Sequence, residues 1–296
     1  MAALPDIRAC QPSYRTFRID LNTGDRCNYA CTYCTQSDQV SSLMDRQYGL
    51  DLIDEITRVY SEGFIFYAGG EPCVIPWFTD WVERAHQNGF MQGVVTNGTR
   101  SDQYYLDLSR IMRVMFFSVH YEHLTEFDQQ RVLLERVRHV DQDGAGRVVI
   151  TFMYLPGHEQ DILRGIDYCN RHGLRYCVRR IQFPDGRAYT DQQERWLTEL
   201  DVTNFTSIRV LGPDGWIDTN PEVVLQQGQN RYRGWSCRAG CDGVSISGGV
   251  LKRAGCGIKD GTRLVEQGLV RFTDPVICDQ ATCNCAANIA LTKSGL

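Results

Sequence analysis

Cys27, Cys31 and Cys34 fall in one run, Cys27-Asn28-Tyr29-Ala30-Cys31-Thr32-Tyr33-Cys34, with the spacing C-x3-C-x2-C. Three thiolates this close together can hold an iron–sulfur cluster, and no fourth cysteine is near. A four-iron cluster with three protein ligands leaves one iron open to a small molecule, which points to an enzyme rather than an electron carrier. A second group, Cys237, Cys241, Cys256, Cys278, Cys283 and Cys285, lies near the C-terminus. A disulfide framework accounts poorly for the 13 cysteines: the chain is large and its cysteines are clustered. Residues Met1 to Gln11 also lack the charged-then-apolar pattern of a secretory signal. Cys10, Cys73, Cys169 and Cys177 fall outside both groups, and Cys169 and Cys177 read as buried hydrophobic residues.

The elements that would position these thiols follow from periodicity. Residues 16 to 21 alternate as a half-buried strand and run directly into the first cysteines. Strands at 64–68, 91–96, 114–120, 147–153 and 175–181 then alternate with helices at 50–62, 77–88, 102–112, 124–140 and 158–172. That order implies a parallel sheet of right-handed βαβ units. Chemistry in such sheets sits at the carboxyl ends of the strands. The cysteine run, Gly69-Gly70-Glu71-Pro72, Thr96-Asn97-Gly98 and His120 all lie there, after successive strands. Residues 182–200 read as a connection with a short helix. From about 205 onward glycine is dense and strands are short, with turns at Pro213-Asp214-Gly215, Ser247-Gly248-Gly249 and Asp260-Gly261. The expected organisation is an α/β partial (β/α)6 barrel over 1–185, a linker over 186–204, and a small β-rich cluster-binding module over 205–296.

This arrangement resembles the radical SAM superfamily over about the first 180 residues. The resemblance implies that Cys27, Cys31 and Cys34 ligate a 4Fe-4S cluster whose open iron is chelated by S-adenosylmethionine. Electron transfer then yields a 5′-deoxyadenosyl radical that abstracts hydrogen from a C–H bond. Tyr33 matches an aromatic or hydrophobic position near the adenine. Gly69-Gly70-Glu71-Pro72 matches the GGEP motif, with the strand edge and Glu71 on the methionine ammonium; paired glycines let backbone approach closely. Thr96-Asn97-Gly98 resembles the ribose-contacting strand end. Ser118 and His120 share one side of a strand, facing ribose or substrate. Arg179 and Arg180 end the sixth strand, where one arginine facing inward would meet a carboxylate or phosphate. Cys73, next to Pro72, is a candidate hydrogen-atom donor.

The C-terminal segment resembles the SPASM or twitch extensions of the same superfamily, which carry auxiliary iron–sulfur clusters. The resemblance implies one such cluster on Cys237, Cys256, Cys278 and either Cys283 or Cys285. The chain departs from the full SPASM pattern, having six cysteines and an unusual Cys283-x-Cys285. Four cysteines in a small β module are also a zinc signature, and that alternative stays open.

With 43% hydrophobic residues a large core is available, and the formal charge of −5 does not favour nucleic acid as the substrate. No apolar run reaches the ~20 residues that span a bilayer, and a cytoplasmic location is expected. About fifteen residues precede the first strand, which leaves no room there for the leader-gripping domain of many peptide-modifying members. The expected substrate is a polar small molecule, or a residue or nucleotide in a peptide or nucleic acid, with an external flavodoxin- or ferredoxin-type electron donor. A leader-independent peptide maturase is the alternative within the family. A non-catalytic iron–sulfur or zinc protein is the alternative outside it.

Overall fold

The computed structural model describes residues 3–13, 16–34, 44–256, 262–263 and 268–295. In β2 (Arg18–Asn22) the alternation buries Ile19 and Leu21 on the helix-covered side, while Asp20 points to the other face. Five more strands continue the sheet in parallel: β3 (Phe64–Ala68), β4 (Met91–Thr96), β5 (Val114–Val119), β6 (Arg147–Tyr154) and β7 (Arg175–Arg180). Register is continuous, from Leu21 opposite Tyr67 to Tyr154 opposite Arg180. Helices α1 (Arg46–Tyr60), α2 (Phe78–Gln87), α3 (Asp102–Ser109), α4 (Phe127–Asp143) and α5 (Glu159–His172) fill the crossovers. These are the six strands and five helices of the expected partial barrel.

Local chemistry sets the helix bounds. The Asp45 side chain accepts the amides of Gln47 and Tyr48, so α1 begins four residues earlier than periodicity suggests. Ser101 caps α3 through the Tyr104 amide. Helix α3 ends at Ser109 rather than at Met112. Helix α4 starts at a Glu126 capping box and runs on to Asp143. After β7, helix α6 (Asp191–Glu199) opens with the Thr190–Gln193 capping box.

The C-terminal half closes onto both edges of the six-stranded sheet. Strand β11 (Gly243–Ser247) pairs in parallel with β2, and β12 (Val250–Lys252) turns back on β11 through Gly248 and Gly249. Both turn glycines have positive φ, 56° and 73°, as a two-residue hairpin of this hand requires. With β13 (Thr262–Arg263) the sheet has nine strands among the described residues. At the other edge, Gln182 Nε2 donates to Asn284 O at 3.2 Å. There too, Arg179 Nε donates to Glu222 Oε1 at 3.0 Å, and Glu222 lies on α7 (Pro221–Gln226). Nothing local in the sequence announces these contacts, which join residues 43 to 225 positions apart.

A second sheet has the order β14 (Val276–Ile277), β10 (Ser236–Cys237), β15 (Lys293–Ser294), β1 (Ala9–Pro12), β8 (Ile208–Gly212) and β9 (Gly215–Thr219). Strand β1, at the start of the chain, therefore belongs with the C-terminal strands. The Pro213-Asp214-Gly215 signal is the β8–β9 hairpin turn, and the Asp260-Gly261 signal lies outside the described residues. Among the described residues no helix is long and apolar enough to cross a membrane.

The glycine pair after β3 has a use beyond admitting a ligand. A Cβ on Gly70 would lie 2.2 Å from Arg26 O, and one on Gly69, whose φ is +133°, 2.5 Å from Gly24 O. The backbone that approaches is the start of the cysteine loop, and Gly70 N and Glu71 N donate to Gly24 O and Arg26 O, both at 2.8 Å. Gly70→Ala should therefore displace that loop at a cost of about 2 kcal/mol or more. The check is a lowered melting temperature together with lower iron retention after reconstitution; a variant matching wild type in both measures would contradict it.

Candidate functional site

The cysteine loop leaves β2 and is held by the ends of β3, β4 and β5 in turn. At β4, Asn97 Nδ2 donates to Asn28 Oδ1 at 2.8 Å, and Asn28 Nδ2 donates to Thr99 Oγ1 at 2.9 Å. At the end of β5, His123 Nε2 accepts the Ala30 amide at 3.2 Å, and the His123 ring stacks on Tyr29 with centroids 4.1 Å apart. Glu122 accepts the Thr32 amide at 2.7 Å and the Thr32 hydroxyl. His120 Nδ1 lies 2.8 Å from the Tyr33 hydroxyl and 3.6 Å from Cys31 Sγ. Glu122, His123 and Asn28 were not singled out in the sequence. Their only signal is position, two at a strand's carboxyl end and one between the first two cysteines.

The three thiols differ in exposure: Cys27 is exposed, Cys34 half-buried, and Cys31 buried with Tyr33 against Ile181. Although the residue is exposed, partial desolvation of its sulfur, then neighbouring negative charge, raises the Cys27 pKa, opposed by the Tyr29 amide that donates to the sulfur at 3.3 Å. Burial pushes Cys31 up to about 11, with the Tyr33 hydroxyl opposing. Thiols in this state are protonated at neutral pH and become ligands when iron displaces the proton. Among the described residues no three or more His, Cys, Asp or Glu side chains gather where one metal ion could sit. A multi-iron cluster takes each thiolate on a different iron and makes no such demand. The donor set suits it: three sulfurs on one loop, one already receiving an amide, anchored to three strand ends.

Glu71 is 2% exposed. Its carboxylate accepts the Asn97 amide at 2.5 Å, the Thr96 hydroxyl at 2.7 Å and the Cys73 amide at 3.0 Å. Burial raises its pKa, against the pull of those donors. The side chain thus ties the end of β3 to the end of β4. Pro72 opens a 3-10 turn behind it, and Cys73 is buried there beside Glu71 and Tyr104, its pKa driven well up by burial. Cys73 does not join His120.

Ser118 is buried on β5 opposite Thr151, which is opposite Cys177. Along β7 the side chain two residues further on is Arg179, so these residues share the barrel's inner face. His120, half-buried, has its pKa lowered to about 4 by burial and is a neutral imidazole. Arg179 meets a carboxylate of the chain itself, Glu222, and Arg180 makes a two-bond contact with Glu194 at 2.7 and 2.5 Å. In the C-terminal half, Cys237, Cys278 and Cys283 are buried in one packed group with Cys256 at its margin, Cys241 is half-buried and Cys285 is exposed. The carboxyl ends of the strands thus bring together Tyr33, Gly69, Gly70, Glu71, Thr96, Asn97 and His120.

A model of the Radical SAM superfamily matches residues 21–186. Among curated proteins, the S-adenosylmethionine-dependent nucleotide dehydratase of Selenomonas ruminantium is 32% identical over 84 residues, 28% of this chain and 30% of that protein. The tungsten-containing aldehyde ferredoxin oxidoreductase cofactor-modifying protein of Pyrococcus furiosus is 30% identical over 104 residues, 33% of this chain and 29% of that protein. The matched segments thus span under a third of those relatives. The crystal structure of Streptococcus suis SuiB bound to S-adenosylmethionine superposes with a TM-score of 0.59 at 12% identity, covering 86% of this chain and 64% of SuiB. SuiB bound to its precursor peptide SuiA gives 0.56 at 13% identity, covering 86% of this chain and 63% of that one. At such identity the likeness is one of fold.

Proposed function

The chain belongs to the radical SAM superfamily, and from that premise we propose that it abstracts hydrogen from a C–H bond of a polar substrate held between the barrel mouth and the C-terminal half. Members of the superfamily are enzymes that use a 4Fe-4S cluster and S-adenosylmethionine, which together supply a 5′-deoxyadenosyl radical. One observation carries the reading: the cysteine loop is fastened to the carboxyl ends of three successive parallel strands, where such sheets place their chemistry.

Cys27, Cys31 and Cys34 hold the cluster in this reading. Gly69, Gly70, Glu71 and Pro72 shape the strand edge for the methionine end. Thr96, Asn97 and Ser118 serve the ribose, and Tyr33 lies by the adenine. His120, neutral and hydrogen-bonded to Tyr33, positions that ring. Arg179, held by Glu222, borders the substrate space at the join of the two halves. Cys237, Cys256, Cys278 and Cys283 hold an auxiliary iron–sulfur cluster. The curated relatives are named for a nucleotide and for a cofactor, which favours a polar small molecule or nucleotide over a peptide. The reductant is an external flavodoxin- or ferredoxin-type protein.

Anaerobic reconstitution with iron and sulfide, followed by S-adenosylmethionine and dithionite, tests the reading. Wild-type protein should form 5′-deoxyadenosine under chromatography and mass spectrometry. A reconstituted, iron-loaded protein that forms none would remove the proposal.

A further inference from the structure

The C-terminal cysteines share their pocket with a buried cation. On the second sheet, Lys293 lies between Cys10 and Cys237: Cys10 is its register partner on β1 and Cys237 its partner on β10. Directly paired residues on adjacent strands point to the same face, so one row runs Cys10, Lys293, Cys237. That face packs into a group that also holds Cys278, Cys283 and Tyr232, with Cys10 fully buried. Cys10, set aside by its distance in sequence, thus joins the C-terminal thiols.

Lys293 is 2% exposed. Its ammonium donates to Ile289 O at 3.2 Å, to Leu291 O at 3.1 Å and to Asn288 O, and lies 5.2 Å from the Tyr232 ring centroid. These are dipoles and a π face; among the described residues no carboxylate forms an ion pair with it. Lys293 is the direct cross-strand neighbour of Cys10 and Cys237, and Cys283 is buried in the same packed group. A buried charge without a counter-charge costs several kcal/mol. The Tyr232 hydroxyl is a second unbalanced group. It is buried, has no hydrogen-bond partner among the described residues, and packs in one group with Cys10, Cys283 and Cys237. An unmatched cation and an unmatched O–H donor facing one set of thiols call for an anion that accepts hydrogen bonds there.

We infer that Lys293 is the counter-cation, and Tyr232 a hydrogen-bond donor, to a thiolate-ligated iron–sulfur cluster in this pocket, and that the pair makes the cluster easier to reduce. The inference rests on the auxiliary-cluster reading above. A cluster held by four thiolates is a net anion, and one-electron reduction adds a negative charge. A fixed ammonium and an O–H donor therefore stabilise the reduced form more than the oxidised one. The electron comes from the external donor protein, and no bond is made or broken.

The test uses the full-length chain carrying Cys27→Ala, Cys31→Ala and Cys34→Ala, so that only C-terminal iron reports. Iron and sulfide are counted, and the midpoint potential is read by EPR-monitored titration. Lys293→Gln keeps an amide donor for the carbonyls but removes the charge. It should retain iron and lower the reduced-to-oxidised ratio at fixed potential at least tenfold, about 59 mV for one electron. Tyr232→Phe removes a single oxygen and should shift the potential in the same direction by less; it carries the test if Lys293→Gln does not fold. Iron bound at the wild-type potential in both variants would show Lys293 to be only a donor to backbone carbonyls and overturn the inference. A background chain that takes up zinc, or no metal, would instead remove the auxiliary cluster itself.

Discussion

Replacing Cys31 with alanine should abolish formation of 5′-deoxyadenosine while leaving the fold intact. Cys31 is the middle thiol of the loop, buried and 3.6 Å from His120 Nδ1. The loop does not depend on that sulfur for its position. Gly24, Arg26, Asn28, Ala30 and Thr32 fasten it through their own hydrogen bonds to strands β3, β4 and β5. Loss of one buried sulfur should cost about 1 kcal/mol of stability, a shift of a few degrees at most. Loss of one of three ligands removes the cluster, so iron should fall by about four per chain, the content of one 4Fe-4S cluster. C-terminal iron should remain. Product formation in the iron-reconstituted variant at a tenth of the wild-type rate or more would defeat the assignment of these thiols.

His120→Phe offers a graded contrast. It removes the partner of the Tyr33 hydroxyl but no ligand, so it should slow the reaction rather than end it. A difference between the two variants separates holding the cluster from positioning what surrounds it.

The parts of this arrangement that could be read from the sequence are those written within about ten residues. Alternation in Arg18–Asn22 and apolar runs at Phe64–Ala68 and Val114–Val119 mark strands, because burial on one face imposes period two. The Gly248-Gly249 turn was legible because two positive-φ residues in a row demand glycine. The cysteine spacing carried its own chemistry. What stayed hidden was set by pairings with no local mark. Cys10 meets Lys293 across 283 positions, and Gly243–Ile246 adds to the edge of β2. Of Arg179 and Arg180, one is expected from the sequence to face inward toward a ligand, and both instead meet carboxylates of the same chain, Glu222 and Glu194. An arginine at a strand end looks the same in sequence whether its carboxylate is substrate or protein. The glycine pair after β3 was read as room for a ligand, and part of that room is taken by the backbone of the cysteine loop.

Glu71→Gln has the second largest expected effect, and it separates two roles for one carboxylate. The resemblance implies that Glu71 meets the methionine ammonium. The structure has both of its oxygens engaged without any ligand: one takes the Thr96 hydroxyl and the Cys73 amide, the other the Asn97 amide. Glutamine keeps the size and one oxygen, but its NH2 then faces either the Asn97 amide or the Thr96 hydroxyl and the Cys73 amide, so one backbone N–H meets a donor in either orientation. A buried donor left unmatched costs about 1–3 kcal/mol. The variant should therefore melt several degrees lower before any S-adenosylmethionine is added. Because Asn97 also holds Asn28, the cysteine loop should loosen with it and iron retention should fall. A carboxylate that served only the ammonium would behave otherwise: the ligand-free protein would melt as wild type, and only affinity for S-adenosylmethionine would drop. Differential scanning calorimetry of the ligand-free chain, paired with calorimetric titration of S-adenosylmethionine into reconstituted protein, distinguishes the two. We expect both measurements to change, with the melting shift present in the ligand-free protein, because the carboxylate that the motif assigns to the ligand also ties the ends of β3 and β4 together.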